Sequence, residues 1–93
     1  MTPAGKLQAY LRRKVEALGG QYRKVRWEGR VGCPDCYVWL PGGRYAWIEV
    51  KAGRDRLSKL QDLEVGRMLK AGLCVCVVKD EAGIDFVLEA LVA

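Results

Sequence analysis

Apolar and polar positions along the chain recur with two different periods. Ala4, Leu7, Tyr10, Leu11, Val15 and Leu18 fall on one helical stripe, which predicts a helix over residues 3–18. Thr2 can cap it, Pro3 suits its first position, and Gly19-Gly20 ends it. Gln8 lies at the edge of the stripe, just beyond Val15, while Arg12, Arg13, Lys14 and Glu16 point mostly outward. Residues 21–27 alternate instead, with Tyr22, Lys24 and Arg26 on one face and Arg23, Val25 and Trp27 on the other, as in a strand.

The next two strands meet at Leu40-Pro41-Gly42-Gly43-Arg44. This suits a three-residue hairpin loop, with Pro41 presetting the first position and Gly43 taking the left-handed one. Closing the loop with Leu40 opposite Arg44 pairs Tyr37 with Trp47 and Trp39 with Tyr45 on one face. On the other face it pairs Cys36 with Ile48 and Val38 with Ala46. The same register sets Asp35 opposite Glu49, and Lys51 shares the Glu49 face. A two-residue loop would slip the register by one and send Asp35 to the other face.

Further on, Ser58 and Gln61 match a capping box opening a helix that runs to about Lys70, and Gly72 stops it. Leu73 to Val78 is continuously apolar, which predicts a strand buried on both faces. The long crossover from the previous strand implies a right-handed βαβ unit with parallel strands. Ile84, Val87, Leu88 and Leu91 predict a short terminal helix within residues 80–91. The sum is an α/β fold, one domain over residues 1–93, with a mixed sheet of about four strands flanked by helices.

Composition narrows the chemistry. Of 93 residues, 51% are hydrophobic, enough for a single core. No apolar run is long enough to span a membrane, and the amino terminus reads as an amphipathic helix, not a signal peptide. A soluble cytoplasmic protein is expected. The net charge of +5 is uneven: ten basic and four acidic residues up to Lys51, then six basic and seven acidic. A basic half suggests a polyanionic partner. There is no histidine, which excludes Ser-His-Asp and Cys-His catalysis and histidine-metal nucleases. Any hydrolysis must rest on carboxylates, lysine and a metal.

Asp35 and Glu49 suit a hard divalent cation such as Mg²⁺, with the Val50 carbonyl as a third oxygen donor. Lys51, beside the ion, can orient water, help remove its proton or stabilise the transition state. Lys24, Arg26, Arg30, Arg44, Arg54 and Arg56 flank the hairpin and its loops and are the candidate phosphate contacts. Cys33 and Cys36 form a CxxC, and Cys74 and Cys76 a CxC, so a zinc-stabilised structural module is a rival. Cys74 and Cys76 alternate with valines in a strand, however, where cysteine acts as a small hydrophobe.

Four segments in order are Gly32-Cys33-Pro34-Asp35, Leu40-Pro41-Gly42-Gly43, Ile48-Glu49-Val50-Lys51 and Leu57-Ser58-Lys59-Leu60-Gln61. Together they resemble the VRR-Nuc family of the PD-(D/E)xK nuclease superfamily. The resemblance runs from Ala17-Leu18-Gly19-Gly20 to Val75-Cys76-Val77-Val78. It is to the compact type, mostly stand-alone phage or bacterial domains; larger eukaryotic relatives carry the domain as the nuclease of a DNA-repair enzyme. The resemblance implies a restriction-endonuclease-like core and a Mg²⁺-dependent DNA endonuclease, with Mn²⁺ as substitute. It also implies a homodimer that cuts branched DNA, in the manner of a Holliday-junction resolvase, in the cytoplasm (the host's, if phage-encoded). Carried over, Asp35 and Glu49 are the metal-binding acids, Lys51 the catalytic lysine, and Gln61 a glutamine facing the site from the next helix. The family usually has a metal-reaching glutamate on the first helix, and the alignment places Gln8 there. A neutral amide binds a divalent cation more weakly, so the alternative reading is a weakened or inactive binder of branched DNA on the same scaffold.

Overall fold

The computed structural model describes residues 1–93. Its elements are α1 (Pro3–Ala17), β1 (Gln21–Lys24), β2 (Cys36–Leu40), β3 (Arg44–Val50), α2 (Lys59–Lys70), β4 (Val75–Val78) and α3 (Glu81–Val92). They build the mixed α/β architecture read from the sequence: one sheet in the order β1-β2-β3-β4. The first three strands are antiparallel, and β4 runs parallel to β3. No helix is long and apolar enough to cross a membrane.

Local chemistry sets each boundary. Thr2 Oγ1 accepts from the Gly5 N–H at 3.0 Å, and Pro3 opens α1. Ser58 caps α2, and the Asp80 carboxylate accepts from the Gly83 N–H at 2.8 Å to start α3. The hairpin closes on Pro41–Gly43 with Leu40 beside Arg44, and its pairs are those the aromatic pattern requires: Tyr37 with Trp47 and Trp39 with Tyr45. Gly42 (φ 91°) and Gly43 (φ 78°) are both left-handed, where the sequence demanded only the second.

The sheet separates two apolar regions. On one face Leu11 and Val15 of α1 and Ile84 and Leu88 of α3 pack on Cys36, Val38, Leu40, Ala46, Ile48, Val50 and Val78. Each large apolar side chain buried there contributes about 1.5–3 kcal/mol. On the other face α2 lays Val65 and Met68 on Val75, with Trp47 and Leu57 at the margin. Beyond Trp47 that face is a row of half-exposed rings: Tyr37 lies 4.5 Å from Trp47, 5.6 Å from Trp39 and 6.0 Å from Tyr45.

Two strands depart from expectation. β1 stops at Lys24 instead of reaching Trp27, whose indole N–H turns to donate to the Pro34 carbonyl at 2.7 Å and whose ring sits 5.0 Å from Trp47. β4 begins at Val75, and as an edge strand it is not buried throughout. Val75 packs under α2 and Val78 joins the main core, but Val77 is 36% exposed because the α2 cover does not reach the strand's carboxyl end.

Candidate active site

The hairpin register brings the candidate acids together. Extending the register one step beyond the Cys36–Ile48 pair sets Asp35 opposite Glu49, which on antiparallel strands is a separation of about 5 Å between Cα atoms. Asp35 lies just before β2, yet its backbone is fixed: its carbonyl accepts from the Val25 N–H at 2.7 Å, continuing the β1–β2 ladder. Its carboxylate turns toward β1, pairing with Lys24 Nζ at 2.8 Å, while the Cys36 thiol donates to it at 3.7 Å. Sequence reading made Lys24 a phosphate contact; here its ammonium neutralises Asp35.

Glu49 is a charged side chain only 6% exposed. Burial pushes its pKa up, and the nearby Asp35 carboxylate pushes it further, against the opposing pull of Lys51 and Lys24. The two carboxylates therefore feel one another across the strands. Gln61 approaches Glu49 from the first turn of α2, its Nε2 donating to Glu49 Oε1 at 2.8 Å. The same side chain closes the capping box, with Gln61 Oε1 accepting from the Ser58 N–H at 2.8 Å. Capping and site contact are made by opposite ends of one amide. Lys51 follows β3, half-buried and on the Glu49 side by strand alternation.

Gln8 lies on α1, whose Leu11 and Val15 pack on the sheet face opposite the one α2 covers. Close packing of Gly20 against the Trp39 carbonyl and of Gly19 against Pro41 places the carboxyl end of α1 at the hairpin turn. Gln8 stands half-buried about 10 Å up the axis from Val15. The oxygen donors that the sequence assigns to a cation are Asp35, Glu49, the Val50 carbonyl and the Gln8 amide, and of these the Asp35 and Glu49 carboxylates are near enough for one to raise the pKa of the other. No cluster of three or more histidine, cysteine, aspartate or glutamate side chains forms. Two hard carboxylates suit a cation that keeps several of its waters, as Mg²⁺ does, and do not suit a fully protein-caged one.

The other basic candidates divide. Arg26, Arg54 and Arg56 are exposed, and Arg56 lines an opening shared with Lys51. Arg30 instead pairs with Glu64 at 3.1 Å, as does Arg67. Arg44 sits at the far end of the hairpin and donates to the carbonyls of Leu91 (3.1 Å) and Val92 (2.6 Å) at the end of α3. Sequence reading passed over Glu64. It collects Arg30, Arg67 and the Cys33 thiol (3.5 Å), and so ties the loop leading to Asp35 onto α2. Gly32 (φ 90°) sits so near the Leu60 carbonyl that an added Cβ would come within 2.8 Å of it.

The model of the VRR-NUC domain family matches residues 3–80 of this chain. A solved structure described as "VRR_NUC domain" superposes with a TM-score of 0.89 at 38% identity, covering 96% of this chain and 97% of that one. No curated protein matches. The chain belongs to the VRR-NUC domain family, nucleases of the PD-(D/E)xK type.

Proposed function

We propose that the protein is a divalent-metal-dependent DNA endonuclease that hydrolyses phosphodiester bonds in branched DNA such as four-way junctions. The observation that carries this reading is the buried Glu49, whose carboxyl is perturbed by both Asp35 and Lys51 at the open end of the hairpin, in a chain of this nuclease family. Asp35, Glu49 and the Val50 carbonyl would hold Mg²⁺ or Mn²⁺, with Gln8 as the candidate donor from α1. When bound, such a cation makes water more acidic and offsets negative charge on the phosphate.

The chain's own residues supply the rest. Lys24 pairs with the Asp35 carboxylate and restrains it. Gln61 holds Glu49 through Oε1, which leaves Oε2 for the cation. Lys51 orients the attacking water and balances charge on the phosphate as it becomes five-coordinate. Arg26, Arg54 and Arg56 hold the backbone without reading bases. The half-exposed row of Tyr37, Trp39 and Tyr45 supports a homodimer, which would present two sites to two strands. Four free cysteines accord with a cytoplasmic setting.

A second reading, a binder of branched DNA that cuts weakly or not at all, is favoured by one residue: the neutral Gln8. Cleavage of a labelled four-way junction in Mg²⁺ or Mn²⁺, by the wild type and by Gln8→Glu, separates the two. The nuclease reading expects cutting by the wild type, faster in Gln8→Glu. Binding without cutting in either form and either metal leaves only the binder.

A further inference from the structure

Beside the carboxylate pair, the carboxyl ends of the two parallel strands carry a second concentration of charge. Val50 pairs with Val78, and the ladder continues one step, with the Lys51 N–H donating to the Val78 carbonyl at 2.9 Å. Lys51 and Lys79 thus leave adjacent strands side by side, about 4.8 Å apart. By alternation both belong to the face that α2 covers, Lys79 with Val77 and Val75, and Lys51 with Trp47. Like charges opposite one another on neighbouring strands are destabilising. Neither lysine enters an ion pair.

An open cavity of about 350 Å³ separates them from the loop before α2, lined by Lys51, Asp55, Arg56, Leu57, Val77 and Lys79. Three cations face one carboxylate there, over an apolar floor made by Leu57 and the exposed Val77. In open sheets with parallel strands, ligands bind outside the carboxyl ends of those strands.

We infer that this cavity is a subsite for a sugar-phosphate unit of the DNA strand next to the one being cut. Lys79 and Arg56 hold its phosphate, Leu57 and Val77 meet the deoxyribose, and Lys51 borders both this subsite and the carboxylate pair. The inference rests on the nuclease reading and adds to it a site and a residue, Lys79.

Its test is the binding of a fluorescent four-way junction, with Ca²⁺ as the cation, across a range of salt. Lys79→Gln and Arg56→Gln are compared with wild type and with Lys70→Gln, at the other end of α2. Each cavity variant is expected to lower the slope of log affinity against log salt by about one, with Lys70→Gln unchanged. A methylphosphonate at the phosphate that occupies the cavity should remove the Lys79→Gln effect, since the two changes delete one contact. Unchanged slopes, or losses that add at every phosphate position, would overturn the subsite while leaving cleavage by the wild type intact. A wild type that neither binds nor cuts DNA would sink the nuclease reading along with it. Without DNA, Lys79→Gln should melt no lower than wild type, because it relieves repulsion. A lower melting temperature would make Lys79 a structural residue and refute the assignment. So would stabilisation by inorganic phosphate with an unchanged DNA slope, which marks a free-anion site.

Discussion

The two ends of the β2–β3 hairpin obey opposite rules. At the turn end, Leu40 is 2% exposed, Gly20 packs against the Trp39 carbonyl, and Arg44 satisfies the last carbonyls of α3. At the other end, about 17 Å along the strands, Asp35 faces Glu49 and Lys51 stands beside Lys79. The same two strands hold matched groups at one end and like charges at the other. Local conflicts of this kind persist where binding a ligand resolves them, and here a cation and a phosphate would resolve one each.

That contrast can be tested from its strongest consequence down. Glu49→Ala or Lys51→Ala should slow single-turnover cleavage of junction DNA by roughly 10³-fold or more, with no loss in melting temperature. A marked drop in melting temperature would show that the charged end is structural. Gly20→Ala should do the reverse. An added Cβ would come within 2.2 Å of the Trp39 carbonyl, so urea unfolding should show a loss of about 2–3 kcal/mol, with cleavage per folded molecule retained. Arg44→Ala should lose about 1 kcal/mol of stability and leave the salt dependence of DNA binding alone. A changed salt slope with unchanged stability would make the turn end a binding surface too.

The smallest effect concerns Glu64, whose bonds to Arg30 and then Arg67 hold its carboxyl below the usual carboxylate range. A group with a lowered folded pKa contributes stability above its unfolded pKa of about 4.3 and loses that contribution as pH falls through the folded value. Melts of wild type and Glu64→Gln should therefore differ at pH 7 and converge toward pH 3. A gap that stays constant would mean that the ion pairs with Glu64 contribute nothing.

Much of this is legible in the amino-acid sequence alone. Aromatic partners at Tyr37–Trp47 and Trp39–Tyr45 fixed the hairpin register, and that register alone set Asp35 against Glu49. The capping box at Ser58 and Gln61 was equally local. What escaped depends on distant partners. Arg30 and Arg44 read as free cations because Glu64 and the end of α3 reach them from 34 and 47–48 residues away. Lys79 stayed anonymous until the parallel pairing of Val50 with Val78 aligned it with Lys51. The end of β1 was missed because the Trp27 indole bonds the Pro34 carbonyl across a loop whose path no periodicity encodes.

The Gln61 amide has a consequence of its own. Its oxygen serves the helix start and its NH₂ serves Glu49, so flipping the amide would lose both bonds together. Glutamate keeps an oxygen for Ser58 but has no hydrogen for Glu49, and asparagine is one methylene too short to span the pair. Position 61 is thus locked by two independent demands, and no single replacement meets both.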